Sequence, residues 1–387
     1  MFDFEFFDMG LNRMGTATEK WDVAREAHGA DLLPLWVADM DFASPPAVQQ
    51  AILTRAAHPT YGYTEMSERD NEAIAAFWQR RHGISVQHEE ITHLPCVVTG
   101  LKACIEAFSN KGDGVVIQPP VYGPFFSSVE LNARRLMENP LVQGADGRYH
   151  MDFAQLEELF QNGAKIMLLC SPHNPVSRVW SREELRNLAM LCEKYKVVLV
   201  ADEIHADFVF APARFVPMLE EKYDGIISLC AASKTFNLAG LQQACLITRN
   251  KAFKTKVEQV LTATGVRCGN IFALEGTRAA YEKGDAWLDG LMKYLDEGRA
   301  VLKAELEKEL PKAKLVPIEA TYLAFIDLKA YGYTTEELMK RTLKNKVMFT
   351  EGTFFSSIFG EGFLRFNFAC PHRYIIEGVK RLKNALI

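Results

Sequence analysis

Long apolar runs, basic clusters and paired cysteines are all missing from this 387-residue chain. Its longest uninterrupted apolar stretches, such as 166–170 and 197–201, fall far short of the roughly 20 residues that a bilayer-spanning helix needs. The first ten residues, MFDFEFFDMG, carry acids where a secretory signal carries bases. There are 44 Lys and Arg against 49 Asp and Glu, a formal charge of −5, and no basic run dense enough for a nucleic-acid platform. The eight cysteines are Cys96, Cys104, Cys170, Cys192, Cys230, Cys245, Cys268 and Cys370. None forms a CxxC pair, so redox and zinc motifs are not expected. Most lie in apolar stretches, where a free thiol acts as a small hydrophobe. His88 and His93 stand five apart, which does not place both on one helix face, and no metal site is expected. A GxxxxGK[ST] loop is also absent, so no nucleotide P-loop is indicated. These absences point to a cytoplasmic protein without nucleic-acid or membrane partners.

What is present is an ordinary globular composition, 48% hydrophobic and 24% charged, with length enough for two domains. Short apolar runs at 114–118, 165–170, 197–201, 225–229 and 244–248 read as strands covered on both faces. Between two of them, 181–196 carries a Ser181/Glu184 capping box and leucines at helical spacing, Leu185, Leu188 and Leu191. This alternation predicts a doubly wound α/β core, a mostly parallel central sheet with helices on both faces. The last hundred residues differ. A long helical pattern at 287–310, strands at 322–328, 347–350 and 363–368, and a helix capped by Thr334 and Glu337 predict a smaller α+β domain. The expected division is 45–285 for the large domain, and 1–44 with 286–387 for the small one.

Ligands of open parallel sheets bind beyond the carboxyl ends of the strands. The polar residues expected there are Tyr122, Asn174, Asp202 with Glu203 and His205, and Ser233 with Lys234. Each has a plainer reading alone: Asp202 as a helix cap, Asn174-Pro175 as a turn, His205 as a core histidine, Lys234 as a solvated charge. Four strands delivering this set to one rim make a site the better account. A lysine can form a Schiff base with an aldehyde cofactor. A carboxylate can hold a pyridinium proton, an aromatic can stack on the ring, and Asn and His can bond its phenolic oxygen. These are the needs of pyridoxal 5′-phosphate. The stretch CVVTGLK at 96–102 leads into an apolar helical pattern, whose N-terminus would offer free N–H groups to a phosphate.

With these residues in view, the chain resembles a fold-type I enzyme of the class I/II aminotransferase superfamily, dependent on pyridoxal phosphate. The resemblance runs in order through YGYT at 61–64, PPVYGPF at 119–125, SPHNP at 171–175, ADEIHADF at 201–208, SKTFNLAGL at 233–241 and RFNFACP at 365–371. LWVADMDF at 35–42 followed by SPP is similar to the signature of the cystathionine β-lyase, or C–S lyase, branch. So is His205, where aminotransferases usually carry a tyrosine.

The resemblance implies that Lys234 is the Schiff-base lysine, Asp202 the partner of the pyridine nitrogen, and Tyr122 the stacking ring. It implies that Asn174 and His205 contact the ring oxygen. Ser233 and the backbone of Val98 and Thr99 would hold the phosphate, and Tyr61 would reach it from the second subunit of a homodimer, whose site lies at the subunit interface. Arg365 would bind the substrate α-carboxylate. In FLRFNF the pattern puts Arg365 and Asn367 on one strand face, with a solvent-facing edge charge as the other reading. Trp36 and Phe354–Phe355 are candidates for the side-chain pocket. Three positions depart from many relatives: Ala231 stands where they have serine, Gln242 where they have arginine, and Ser177 where NPxG has glycine. The implied reaction is α,β-elimination from L-cystathionine or another S-substituted L-cysteine, giving a thiol, pyruvate and ammonia. The alternative is an aminotransferase.

Overall fold

A computed structural model describes residues 2–267 and 269–387, so Cys268 lies outside the described residues. The helix Arg182–Tyr195 starts where its spacing predicts. Ser181 Oγ accepts from the Glu184 N–H, and Glu184 answers the Ser181 N–H at 2.7 Å. It buries Leu185, Leu188, Ala189 and Cys192 and ends at Lys196 in a left-handed cap.

Seven strands form the central sheet. Their spatial order is Ile91–Leu94, Ala244–Ile247, Ile226–Cys230, Val198–Asp202, Ala164–Cys170, Gly114–Ile117 and Arg135–Glu138. The last five are mutually parallel, and all but the edge strand Arg135–Glu138 bury their apolar residues on both faces, as helices on each side require. Ala244–Ile247 runs antiparallel to both neighbours. Residues 231–243 hold only short helical turns, too little chain for the crossover helix that a parallel return needs. Ile91–Leu94 and Arg135–Glu138 are absent from the sequence reading. The first is only four residues long and carries a histidine, and the second is a polar edge strand.

The C-terminal residues build a separate antiparallel sheet in the order Lys314–Leu315, Leu323–Asp327, Phe363–Asn367, Thr350–Glu351, backed by the helices Asp285–Glu309 and His372–Leu386. Phe363–Asn367 is interior, not an edge, and all five of its residues are buried. The N-terminal segment joins this sheet's surroundings. Leu33–Pro34 pairs with Val347–Met348 in parallel, and the Asn367 N–H donates to Leu35 O at 3.0 Å. Residues 35–42 then run as a strap toward the carboxyl ends of the central strands. A buried ion cluster fixes it: Lys20 Nζ lies 2.9 Å from Asp41, Trp21 Nε1 donates to Asp41 at 2.7 Å, and Arg13 clamps Asp39 and Asp41. No helix among the described residues is long and apolar enough to cross a membrane.

Candidate active site

Four of the five parallel strands are followed by polar groups that meet in one cavity, of about 200 Å3. Asp202 is the last residue of Val198–Asp202, and His205 follows in the next turn. Asn174 follows Ala164–Cys170, Tyr122 precedes the helix Pro124–Leu131, and Ser233 and Lys234 sit in the turn Ala232–Thr235. Glu203 does not join them. Strand alternation turns it the other way, where it accepts from Ser228 Oγ and, at 2.7 Å, from the Met218 N–H.

The far end of the cavity is the start of the helix Val97–Phe108, with Cys96, Val97 and Val98 in its wall. No side chain among the described residues caps this helix, so its first N–H groups remain for an anion. Gly100 lets the helix press onto the sheet. A Cβ there would come within 2.7 Å of Leu94 and 2.8 Å of Leu229. Thr99 is in the helix's first turns but outside the cavity wall; its hydroxyl lies 3.3 Å from Cys96 Sγ. Gln242 and Gln243 also line the cavity.

The electrostatics follow from burial. Asp202 is 5% exposed; desolvation pushes its carboxyl up to about 7, against the pull of the Ile204 N–H and the Lys234 charge. Burial pushes Lys234 down to about 8, with Asp39 opposing, Arg365 assisting and Asp202 opposing. Its Nζ donates to Ala38 O, in the strap, at 2.6 Å. His205 is driven down to about 3 by burial and by the Lys234 and Arg365 charges, so its ring is neutral at working pH, and its buried Nδ1 has no partner among the described residues. Burial also raises the Tyr122 hydroxyl.

Arg365 stands in a second, adjoining cavity of about 520 Å3, which shares Ala38, Tyr122 and Lys234 with the first. The residue is 3% exposed, and its guanidinium packs 4.9 Å over Phe355. It donates to Asn174 Oδ1 (3.2 Å), Trp36 O (2.9 Å) and Thr350 Oγ1 (3.2 Å), while Nε has no partner among the described residues. The solvent-facing edge reading of Arg365 is thereby excluded. Trp36 and Phe354 line this second cavity; Phe355 lies beneath Arg365 instead.

Of the residues singled out in the sequence, Val98, Tyr122, Asn174, Asp202, His205, Ser233 and Lys234 therefore converge on one cavity, with Arg365 beside it. Tyr61 does not. It is 61% exposed on the extended stretch before the helix Glu68–His82, and its hydroxyl donates to Ala56 O. Ser177 takes φ 54°, the left-handed conformation that glycine favours. Its hydroxyl donates to Leu323 O at 2.6 Å, which ties this loop to the second sheet. The Ala38 carbonyl was not foreseen. No side chain marks it, and only LWVADMDF as a motif pointed to the strap. Gln242 was legible only as a departure.

These donors fit pyridoxal phosphate. A carboxyl lies at one wall, an uncapped helix N-terminus at another, an aromatic ring and a lysine between them, and an orphaned imidazole nitrogen and an amide complete the lining.

The model of the family "Aminotransferase class I and II" matches residues 30–382. A cystathionine β-lyase, PatB of Bacillus subtilis, is 41% identical over 98% of this chain and 99% of its own. Cystalysin of Treponema denticola, in a structure containing pyridoxal 5′-phosphate, superposes with TM-score 0.94 at 31% identity over 98% of each chain. The PLP-bound C–S lyase of Staphylococcus hominis superposes with TM-score 0.91 at 32% identity, again over 98% of each.

Proposed function

The chain belongs to the aminotransferase class I and II family, and from that premise we propose that it is a pyridoxal-phosphate-dependent cysteine-S-conjugate β-lyase. It takes L-cystathionine or a related S-substituted L-cysteine and, with one water, gives a thiol, pyruvate and ammonia. The observation that carries the choice of lyase is the full-length, 41% identity to a cystathionine β-lyase, with the neighbouring C–S lyase fold beside it.

Bound, the cofactor supplies an electron sink for the pair freed at the substrate Cα. The chain's own residues do the rest. Lys234 would hold the cofactor, and its amine, when free, would take the Cα proton as general base. An amine pushed down to about 8 has a usable neutral fraction near pH 7. Asp202 keeps a proton on the pyridine nitrogen: its buried carboxylate gains most from a positive partner. Neutral His205 and Asn174 hold the ring oxygen by hydrogen bonds and Tyr122 covers the ring. The N–H groups of Val98 and Thr99 and the Ser233 hydroxyl hold the phosphate. Arg365 binds the α-carboxylate with its forked N–H groups. The carbon–sulfur bond then breaks with its electron pair on sulfur, and the proton held by Lys234 goes to the leaving thiolate. The released enamine hydrolyses to pyruvate and ammonia.

The protein works as a cytoplasmic homodimer in this reading. Tyr61 and Tyr63 both stand exposed on an extended stretch, and Tyr61 reaches the phosphate of the second subunit. The large domain is 45–285, and 1–44 with 286–387 form the small one, in keeping with the pairing of Leu33–Pro34 and Val347–Met348. The test is thiol and pyruvate release from L-cystathionine without a keto acid, lost in Lys234→Ala. A requirement for keto acid would make the protein an aminotransferase.

A further inference from the structure

The cavity beside Arg365 is where the substituent on sulfur must go if the α-carboxylate sits on Arg365 and Cα faces Lys234, as the proposed function has it. Its wall is apolar on several elements: Trp36 from the strap, Met339 and Leu343 from the helix Thr335–Lys344, and Met348, Phe349 and Phe354 beyond it. Among the described residues, the only cations in its lining are Lys234 and Arg365. Lys234 serves the Cα proton. Arg365 is held by Asn174, Trp36 and Thr350.

Two more charges line the same cavity, and both are negative: Glu19, at the start of the turn Glu19–Val23, and Glu351, in Thr350–Glu351. Both are exposed at the mouth, and neither pairs with a basic side chain among the described residues. The charge of Glu19 is felt inside: after burial and the charges of Arg365, Asp202 and Cys96, it is among the influences on the Tyr122 hydroxyl.

We propose that this outer cavity selects the sulfur substituent by charge. It takes groups that are apolar beside sulfur and neutral or cationic at their outer end, and Glu19 and Glu351 discriminate against anionic ones. A substituent ending in a carboxylate meets two like charges and no free cation; one ending in an ammonium meets two partners. Cystathionine, whose outer end carries both, presents its ammonium to the carboxylates. The inference rests on the β-lyase reading.

Three substrates of similar length test it on the cofactor-loaded enzyme: S-(2-aminoethyl)-, S-propyl- and S-carboxymethyl-L-cysteine. Mouth carboxylates are solvated, so each is worth little alone. Acting together on opposite charges they give a kcat/KM for the aminoethyl over the carboxymethyl compound on the order of tenfold, which shrinks with salt. The ratio falls toward one in the double variant Glu19→Gln/Glu351→Gln and persists in Glu19→Asp/Glu351→Asp. Equal or reversed kcat/KM values in the unsubstituted enzyme overturn the inference. So does a ratio that survives the double Gln variant. Thiol from S-propyl-L-cysteine with no discrimination by charge leaves the lyase reading standing and sinks this one. No thiol from any of the three while L-cystathionine is cleaved overturns this inference and leaves the lyase reading standing; no thiol from L-cystathionine either defeats both.

Discussion

At the residue scale the account turns on how burial changes two basic groups. Lys234 must be neutral to accept a proton. Its ammonium is pushed down to about 8, chiefly by burial. The neutral fraction therefore grows as pH rises through that value, and kcat should rise from about pH 7 to about pH 9 and level off above. A midpoint near 10 in the pH–rate profile, the ordinary lysine value, would contradict the assignment. Arg365 is the second test. Its forked N–H groups suit a carboxylate, and a lysine there gives one point contact in place of two. Arg365→Lys should raise KM for an S-substituted cysteine by roughly tenfold or more, with a smaller fall in kcat. An unchanged KM would remove Arg365 from the carboxylate site.

At the element scale the strap of residues 35–42 matters most. It presents Ala38 O to Lys234 and Trp36 O to Arg365, and Asn367 donates to its Val37 and Asp39 carbonyls at 2.5 and 2.7 Å. Lys20 is wholly buried and Asp41 is 1% exposed. Removing one member of such a pair leaves a charge in the interior, at a cost of about 3–5 kcal/mol. Asp41→Ala should lose stability of that order in urea unfolding and lower kcat through the loosened strap. A loss within about 1 kcal/mol would show the cluster to be solvated. None of this cluster was legible in the sequence, because Arg13, Lys20, Asp39 and Asp41 meet only through the fold of the N-terminal segment. The rim residues were legible, because a parallel sheet places every strand's successor residues at one edge. Strand periodicity found the apolar core strands and missed Ile91–Leu94 and Arg135–Glu138, where four residues with polar members give no alternation to read. The reversed Ala244–Ile247 was also beyond it, since an apolar strand looks the same in either direction.

At the scale of the whole molecule, one chain places Asp202, Lys234 and Arg365 together but leaves Tyr61 outside on the surface. A site completed across a homodimer follows from the proposed role of Tyr61. Chains carrying Tyr61→Ala and chains carrying Lys234→Ala should each be impaired alone. Mixed dimers of the two hold one site with both an intact Lys234 and an intact Tyr61 from the opposite chain. Activity restored on mixing, toward about one quarter of the unsubstituted level for random reassortment, supports the shared site. No recovery, with dimers formed, would place each site within a single chain.

The central claim is that the carbanion chemistry of this fold is directed at a carbon–sulfur bond. The most direct measurement adds L-cystathionine to the cofactor-loaded protein with no keto acid present and follows pyruvate and free thiol together. The account predicts equal amounts of both, accumulating over many turnovers and abolished by Lys234→Ala. A single turnover that stops with the cofactor in its amine form, and resumes only when a keto acid is added, would contradict it.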